Sequence, residues 1–191
     1  MREVMVLSAV RTAIGKFGGG LSEFSAVELG SLVVAEAIRR AGISAEGIPL
    51  VIMGNVLQAG LGQNPARQCA LKAGVSPSAS AFTVNMVCGS GLKAINLAAQ
   101  AIRDGEVDVA VAGGMESMSN APYLVYKARW GQKMGHTQMV DVMLRDGLED
   151  AYSGLHMGNL AEKVVQKFHI TREDADHFAL RSHQKAAYAT E

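Results

Sequence analysis

Apolar runs and segments with helical periodicity alternate along the first 112 residues of the chain. Short runs rich in Val, Ile, Leu and Ala predict buried strands over residues 4–10, 50–57, 82–87 and 107–112. The segments between these runs are long enough for helical crossovers. Strands joined by helical crossovers form a parallel or mixed sheet, so the pattern predicts an α/β fold.

Capping residues predict where several helices begin and end. Ser25, followed three positions later by Glu28, is typical of a capping box, and Gly42 lies where a glycine ends a helix. Asn64 before Pro65 is typical of a second helix start. Apolar periodicity predicts three further helices, over residues 92–102, 159–169 and 172–189.

The pattern changes near residue 118. Residues 119–158 mix Pro, Gly, Tyr, Met and charged residues, and they contain no strand-like run. Thr171 with Asp174 then marks the start of the last predicted helix. We therefore predict two domains, an α/β domain over residues 1–118 and a second domain over residues 119–191.

The net charge and the cysteine count exclude several classes of function. The chain carries 18 Lys and Arg residues against 18 Asp and Glu residues, whereas nucleic-acid grooves and polybasic membrane surfaces need a local excess of cations. No apolar run approaches the roughly 20 residues of a membrane span. Two cysteines cannot form a disulfide framework, which indicates a reducing compartment, and we expect the cytoplasm. The sequence therefore predicts no nucleic-acid partner and no membrane partner.

Cys88 is the main candidate for chemistry. It lies between a predicted strand and a predicted helix, and the small residues Gly89, Ser90 and Gly91 follow it. A helix N-terminus stabilises a thiolate, and the first backbone N–H groups, from Cys88 to Ser90, are expected to face an oxyanion. The alternative is a small buried hydrophobe at a tight turn, and the sequence leaves both open. Cys69 lies among helix formers and is predicted to pack in the core.

The five histidines form no recognisable metal motif. Neither HExxH nor CxxC occurs, so no metal site is predicted. His156 precedes a predicted helix, where an ordinary loop histidine and the wall of a binding pocket are both open. Six methionines between residues 115 and 157 either pack in a core or interface or form a flexible apolar wall for a long, thin ligand.

Five segments of the chain resemble the motifs of one protein family, both in their residues and in their order along the chain. They are residues 11–19 (RTAIGKFGG), 62–68 (GQNPARQ), 85–95 (NMVCGSGLKAI), 112–119 (AGGMESMS) and 152–158 (YSGLHMG). The third resembles the acyl-enzyme segment of thiolases, and the fifth, followed by Ala161 and Glu162, resembles their coenzyme A loop. Because the five occur in family order over nearly the whole chain, it is identified as a member of the thiolase family.

The resemblance implies a role for each candidate residue. Cys88 would be the nucleophile that takes the acyl group from an acyl-CoA, with its own N–H as a donor to the oxyanion. His156 and Met157 would line the pantetheine tunnel, with Leu148 near the CoA moiety. His183 falls where related enzymes often carry a Gln that contacts CoA. The His-Met-Gly sequence is similar to short-chain biosynthetic members, which handle acetyl-CoA and acetoacetyl-CoA, so CoA thioesters are the expected substrates and no cofactor is expected.

The resemblance also implies a fold and a set of missing parts. Thiolase subunits are roughly twice as long as this chain and have two similar halves, with a loop domain inserted in the first. Residues 1–118 would then be the first half of the layered α-β-α thiolase fold, and residues 119–191 part of the loop domain. The GHP, NEAF and CxGGG motifs, which carry a base histidine, an asparagine and a second cysteine, do not occur in the 191 residues. We expect a C-terminal thiolase half or a companion chain to supply them.

Assembly is implied by the same resemblance. Residues 119–140 resemble the loop through which such enzymes form tetramers. Residues 64–68 and the helix that follows Cys88 lie near the family's dimer interface. We therefore expect a dimer or a tetramer.

Two functions from different classes follow. The first is a thiolase-type acyltransferase that forms an acyl-enzyme on Cys88 and, once completed by a C-terminal half, catalyses acetoacetyl-CoA thiolysis and acetyl-CoA condensation; the chain alone is then expected to be inactive. The second is a catalytically incomplete CoA-binding or assembly protein, since the base histidine and the second cysteine are missing. A third, a condensing enzyme acting on carrier-protein substrates, is disfavoured by the His-Met-Gly and GGMESMS segments.

Overall fold

The computed structural model describes residues 2–190, which divide into two compact units. The first unit ends at Gly147 and the second begins at Leu148. Because this division reflects compactness alone, the domain boundary predicted near residue 118 stays a prediction. Within the described residues, no helix is both long enough and apolar enough to cross a bilayer.

A three-stranded parallel sheet forms the centre of the first unit. Its strands are β1 (Leu50–Gly54), β2 (Ser80–Val84) and β3 (Val111–Gly114), in the order β2-β1-β3. Every residue of the central strand β1 is buried. Since full burial of an aliphatic side chain stabilises a fold by about 1.5–3 kcal/mol, β1 contributes to the core through both of its faces. The predicted α/β class is confirmed.

Helices cover both faces of this sheet. They are α1 (Ala26–Ala41), α2 (Pro65–Lys72) and α3 (Ser90–Asp104). Val51 and Met53 belong to the buried cluster that includes residues of α1 and α2. Leu50 and Ile52 point to the opposite face, because side chains alternate along a strand, and they belong to the cluster that includes residues of α3. The unit therefore has three layers, with the sheet in the middle.

The helix boundaries follow the capping residues. The Ser25 hydroxyl accepts a hydrogen bond from the Glu28 N–H at 3.2 Å, and the Glu28 carboxylate accepts one from the Ser25 N–H at 2.8 Å. The Asn64 side chain accepts a hydrogen bond from the Arg67 N–H at 3.2 Å. Gly42 has a φ of 68°, the left-handed conformation in which a glycine ends a helix without strain. These predicted starts and stops are confirmed.

Residues 4–10 form no strand, so the prediction for this run is wrong. Val6 is 80% exposed, and the Ser8 hydroxyl donates a hydrogen bond to the Ala37 carbonyl at 2.7 Å. A strand needs a neighbour that pairs with its backbone N–H and C=O groups. Among residues 2–190 the sheet ends at β2 and β3, and neither pairs with this run. An apolar pattern indicates a preference for burial, but it does not say whether a partner strand is present.

A small second sheet lies where the sequence predicts no strand. β4 (Tyr123–Val125) pairs antiparallel with β5 (Met139–Asp141), with Tyr123 opposite Asp141. Strands of three residues are too short for an alternating pattern to be recognised, which explains the error. Within residues 2–190 the remaining short elements are three 3₁₀ helices, Ala45–Gly47, Met118–Asn120 and Ala128–Trp130, and one π-helix, Met143–Leu148.

Two helices make up most of the second unit. They are α4 (Met157–Phe168) and α5 (Arg172–Thr190), within two residues of the predicted bounds. The Asp174 carboxylate accepts a hydrogen bond from the Thr171 N–H at 3.0 Å, and the Thr171 hydroxyl accepts one from the Asp174 N–H at 3.1 Å, which confirms the predicted start of α5. No residue of 148–190 is fully buried, so this described segment has no core of its own.

Candidate active site

Cys88 lies in the turn between β2 and α3, four residues after β2 ends. Ser90, the first residue of α3, holds the turn: its hydroxyl accepts a hydrogen bond from the Met86 N–H at 2.8 Å and donates one to the Val87 carbonyl at 2.6 Å. Ser90 is buried, whereas Cys88 is exposed. The alternative in which Cys88 packs as a small buried hydrophobe is therefore wrong.

Val87, directly before Cys88, has an unusual backbone conformation. Its φ is 48°, in the left-handed region that β-branched residues rarely adopt. The Val87 N–H donates a hydrogen bond to the Asn85 side chain at 2.9 Å, and the Val87 carbonyl accepts one from the Ser90 hydroxyl. Such a conformation costs about 1–3 kcal/mol and persists only where surrounding contacts fix it. Here the turn's own residues supply these contacts.

The backbone N–H groups around Cys88 differ in what they bind. Those of Gly89 and Ser90 donate to the carbonyl oxygens of Met86 and Val87, at 3.0 and 3.1 Å. The expectation that they face an oxyanion is therefore wrong for these two groups. Among residues 2–190, no acceptor binds the Cys88 N–H. Of the three groups, this one is able to donate to an oxyanion beside the sulfur.

Small residues let the start of α3 approach the sheet closely. A Cβ on Gly54, the last residue of β1, would lie 2.6 Å from the Ser90 carbonyl carbon and 2.7 Å from the Gly91 nitrogen. A Cβ on Gly114, the last residue of β3, would lie 3.3 Å from the Gly91 Cα. A side chain at either position would push the helix away, since interiors are close-packed. The first turn of α3 thus packs directly against the carboxyl ends of two strands.

Glu116 lies at the same end of the sheet, two residues after β3. Its carboxylate accepts hydrogen bonds from the Asn55 side-chain N–H at 2.7 Å, the Val56 N–H at 2.9 Å and the Leu57 N–H at 3.2 Å. Burial raises the pKa of Glu116, and these hydrogen bonds oppose that shift without cancelling it. The chain turns away from the sheet to reach this carboxylate, which is why β1 ends at Gly54 and not at residue 57 as predicted.

Asn55 links Glu116 to the other strands. Its side-chain N–H also donates to the Met115 carbonyl at 3.1 Å, and its backbone N–H donates to the carbonyl of Val84, the last residue of β2, at 3.1 Å. Asn55 is 1% exposed, and its Oδ1 is buried without a hydrogen-bond partner among the described residues. The residue therefore connects the carboxyl ends of all three strands of the sheet.

Sequence reasoning missed both Asn55 and Glu116, although a signal was present. Asn55 directly follows the glycine at which β1 ends, and Glu116 follows the glycine pair that closes β3. The carboxyl ends of parallel strands meet at one edge of a sheet, where functional groups of open α/β sheets collect. Polar residues just after two such strands are therefore expected to lie close to each other and to the turn after β2.

Cys69 has the opposite environment to Cys88. It is fully buried in α2, within the cluster between α1, α2 and the sheet. Burial raises the pKa of the Cys69 thiol to about 12. A thiol with so high a pKa carries almost no thiolate near neutral pH and is a poor nucleophile. The prediction that Cys69 packs in the core is confirmed.

The other predicted site residues lie in the second unit. His156 caps α4, because its Nδ1 accepts a hydrogen bond from the Gly158 N–H at 3.0 Å. Met157 is the first residue of α4 and is 39% exposed, and Leu148 is partly buried. His183 lies on α5 and is exposed. Their predicted contacts with CoA stay predictions.

The 149–156 loop, which leads into α4, is closed by local hydrogen bonds. The Asp150 carboxylate accepts hydrogen bonds from the Ser153 N–H at 2.7 Å and the Ser153 hydroxyl at 2.6 Å, which lower the pKa of Asp150. The Asp150 N–H donates to the Leu155 carbonyl at 2.9 Å. The two ends of the loop pair as an isolated antiparallel bridge. The loop therefore holds its own shape.

The chemistry that the described residues offer is that of a thiol. Among residues 2–190, no group of three or more His, Cys, Asp or Glu side chains is placed to hold a metal ion. Cys88 is exposed at a helix start, next to an N–H without an acceptor. Such an arrangement can attack a carbonyl carbon and stabilise the oxyanion that forms.

Comparisons of the sequence with known proteins agree on one family. The family model for the thiolase N-terminal domain matches residues 4–191. An acetyl-CoA acetyltransferase of Escherichia coli (strain K12) is 56% identical over 192 residues, covering 100% of this chain and 49% of that protein. An acetyl-CoA acetyltransferase of Chromobacterium violaceum is 51% identical over 187 residues, covering 98% and 48%. The chain thus spans about half the length of the curated relatives it matches.

A solved structure is also similar. It is the Acat5 thiolase from Ascaris suum in complex with coenzyme A, which has a TM-score of 0.92 and 45% sequence identity, covering 96% of this chain and 47% of that one. This similarity confirms the predicted thiolase-like fold. Since the family model also matches nearly the whole sequence, the chain belongs to the thiolase family.

Proposed function

We propose that this chain is the acyl-accepting part of a thiolase-type acyltransferase, in which Cys88 takes the acetyl group of acetyl-CoA. The observation that carries the proposal is an exposed thiol at the start of α3, beside a backbone N–H that no described residue binds. A helix N-terminus stabilises the thiolate, and the adjacent N–H stabilises the oxyanion. The relatives' name, acetyl-CoA acetyltransferase, supports the substrate.

The first half-reaction uses only these groups. The Cys88 thiolate attacks the carbonyl carbon of the thioester, and an electron pair moves to the carbonyl oxygen, where the Cys88 N–H donates a hydrogen bond. Collapse of this intermediate re-forms the carbonyl and breaks the bond to the CoA sulfur. The CoA thiolate leaves and takes up a proton. An acetyl thioester remains on Cys88.

The second half-reaction needs further groups. In the condensation direction, a base removes a proton from the α carbon of a second acetyl-CoA, and the carbanion attacks the acetyl group on Cys88. Acetoacetyl-CoA forms, the Cys88 thiolate leaves, and thiolysis is the reverse. The resemblance assigns the base histidine and a second cysteine to the GHP and CxGGG motifs, which these 191 residues do not contain. We therefore assign turnover to the protein completed by a C-terminal half or a companion chain.

Four residues of the second unit are proposed to contact CoA: Leu148, His156, Met157 and His183. The similar thiolase of Ascaris suum is one in complex with coenzyme A, which supports a CoA thioester as ligand. The partly exposed, flexible Met157 suits the thin pantetheine chain. The cap uses Nδ1 of His156, which leaves Nε2 for a ligand.

Assembly and location complete the proposal. Trp130 is 79% exposed and Met134 is 93% exposed, and exposed apolar side chains of this size support an oligomer contact in the predicted 119–140 loop. A dimer or a tetramer is therefore proposed. Two cysteines that are both free thiols support a cytoplasmic location.

A second candidate function is a CoA-binding or assembly protein without turnover. The observation that favours it concerns the Cys88 sulfur, which has no hydrogen-bond partner among the described residues. A cysteine nucleophile normally works beside a base that orients it and takes its proton. The chain alone then binds or accepts an acyl group at most.

Acetylation by acetyl-CoA tests the proposal. The chain is incubated with acetyl-CoA, alone and with the C-terminal half of the Escherichia coli relative, and the modified peptides are identified by mass spectrometry. We expect one acetyl group on Cys88 and none on the buried Cys69. Cys88→Ala is the matched control, which removes the exposed thiol and keeps the core.

The possible outcomes separate the two functions. No acetyl group on Cys88 under either condition overturns the acyltransferase proposal. Consumption of acetoacetyl-CoA by the chain alone excludes the second candidate. An acetyl group on Cys88 with turnover only in the completed protein supports the assignment made here.

A further inference from the structure

We propose that Glu116, acting through Asn55, is a positioning residue for the Cys88 turn, which comprises residues 85–90 between β2 and the start of α3. The inference rests on the proposed role of Cys88 as the reactive thiol, and the acyl-transfer steps above use neither Glu116 nor Asn55. Glu116 touches no reacting atom in this proposal. It acts by fixing the edge of the sheet against which the turn is built.

The Glu116 carboxylate fixes the chain where it leaves β1. Three N–H groups from consecutive residues donate to it: the Asn55 side chain at 2.7 Å, Val56 at 2.9 Å and Leu57 at 3.2 Å. An ionised carboxylate has about four acceptor sites and no donor, so it can satisfy all three. A second connection lies beside it, where the Met115 N–H donates to the Gly54 carbonyl at 2.9 Å.

Asn55 carries this constraint to the Cys88 turn by two routes. Its backbone N–H donates to the Val84 carbonyl at 3.1 Å, and the turn begins at the next residue. Its neighbour Gly54 is the residue against which the backbone of Ser90 packs. A shift of Asn55 therefore moves the turn from both ends. Through these two routes Asn55 and Glu116 can affect the position of the Cys88 sulfur although neither contacts it.

The cost of this arrangement argues that it has a role beyond packing. Burial of the carboxylate raises the pKa of Glu116, so the ionised form is less stable here than in water. The buried Asn55 Oδ1 has no described partner, and such atoms cost about 1–3 kcal/mol. Perturbed carboxyls and unsatisfied polar groups collect at functional sites. The two lie at the sheet edge that carries Cys88.

Alkylation of Cys88 by iodoacetamide tests the inference, and it requires no acyl-CoA. The rate is followed for each cysteine-containing peptide in the wild type, in Glu116→Gln and in Asn55→Ala, near neutral pH. We expect Cys88 in both variants to react at least about twofold more slowly, because a displaced turn no longer holds the sulfur at the start of α3.

Two controls separate positioning from general loosening. Glu28→Gln keeps an acceptor in the α1 capping box but removes the carboxylate charge, which Ser25 and the helix start stabilise. It therefore weakens the same unit without altering the sheet edge, and Cys88 should react as in the wild type. Cys69 reports unfolding within each sample, because it is buried and should stay unmodified while the unit is folded. The Asn55 variant keeps the test available if the Glu116 variant does not fold.

The outcomes are distinct from those of the acetylation experiment. Slower reaction of Cys88 near neutral pH, with Cys69 unmodified and Glu28→Gln unchanged, supports the inference even if acetyl-CoA does not react. An unchanged or faster Cys88 in both variants overturns it. Equal slowing in Glu28→Gln, or modification of Cys69 together with Cys88, also overturns it, since the effect would then be one of stability.

Discussion

The Cys88 turn and the 149–156 loop both lead into a helix, and different kinds of contact hold them. The start of α3, where the Cys88 turn ends, packs against Gly54 and Gly114, at the ends of two strands. The edge that supports it is joined by a hydrogen bond between Val56 and Glu116, which are 60 positions apart. In the 149–156 loop, by contrast, Asp150 binds Ser153, three positions away.

The difference teaches which substitutions can disturb each segment. The Cys88 turn depends on the sheet as well as on its own hydrogen bonds, so a change far along the sequence can move the cysteine. A loop closed by hydrogen bonds among its own residues depends mainly on those residues, so a change there stays local. Four predictions follow from this comparison, in order of decreasing effect.

Gly54→Ala should have the largest effect. The new Cβ would lie 2.6 Å from the Ser90 carbonyl carbon, and a backbone atom cannot move aside as a side chain can. We expect a loss of at least about 3 kcal/mol in the free energy of unfolding, at the upper end for overpacked sites. Urea unfolding measures it.

The matched control is Gly47→Ala. A Cβ at Gly47 meets no atom within 4 Å, and Gly47 is not among the glycines with positive φ. Its effect should stay within about 0.5 kcal/mol. Similar effects for the two variants would show that the close approach of α3 to β1 is not what holds the turn.

Ser90→Ala should have the next largest effect. The substitution removes the acceptor of the Met86 N–H and one of two donors to the Val87 carbonyl, in partly buried hydrogen bonds. Leaving the Met86 N–H unpaired costs about 1–3 kcal/mol. Urea unfolding again measures the loss. Ser78→Ala, which removes an exposed hydroxyl bonded to Ser76, is the control and should change little; an equal loss in both would contradict the prediction.

Glu116→Gln should flatten the dependence of stability on pH. The folded-state pKa of Glu116 is raised, so its favourable contribution is full below the unfolded pKa of about 4.3 and is lost as pH rises through the folded value. The variant lacks this titration. Urea unfolding curves measured at a series of pH values test this. The difference in unfolding free energy, wild type minus variant, should decrease as pH rises from the unfolded to the folded pKa of Glu116. A constant difference would argue against a raised pKa.

Asp150→Asn should have the smallest effect and the opposite sign with pH. The folded-state pKa of Asp150 is lowered by the Ser153 hydroxyl and N–H, so its contribution is present above the unfolded pKa of about 3.9 and is lost as pH falls through the folded value. Amide hydrogen exchange at Ser153 should be less protected in the variant, because a neutral amide oxygen accepts a hydrogen bond more weakly than a carboxylate does. Loss of protection in α3 as well would contradict the local character of the loop.

The difference between contacts of near neighbours and contacts of distant residues also decided what the sequence could predict. Three helix starts could be located from near neighbours: Ser25 with Glu28, Asn64 before Pro65, and Thr171 with Asp174. Each cap forms within three positions, so local residue types were sufficient. The strands of the sheet were predicted from their apolar composition, because burial leaves a local trace in the sequence.

Contacts between distant segments left no such trace. Residues 4–10 have the composition of a strand, but no described strand pairs with them, and composition does not reveal whether such a partner exists. All three strands differ from the predicted bounds: β1 ends at Gly54 and not at residue 57, β2 spans Ser80–Val84 and not 82–87, and β3 spans Val111–Gly114 and not 107–112. For β1 the reason is a set of hydrogen bonds to a distant carboxylate, such as the one from Val56 to Glu116. The glycine-rich surroundings of Cys88 identified it as the candidate cysteine but left its exposure open, whereas the residues that support it required the topology of the sheet.

Val87 shows how such a turn would respond to selection. At its φ of 48°, glycine or asparagine would be less strained than a β-branched residue. A screen that rewards heat resistance alone would therefore enrich Gly or Asn at this position. Glycine would also free the backbone beside the sulfur to visit other conformations. At position 87, selection for higher stability and selection for a fixed position of the thiol would therefore favour different residues.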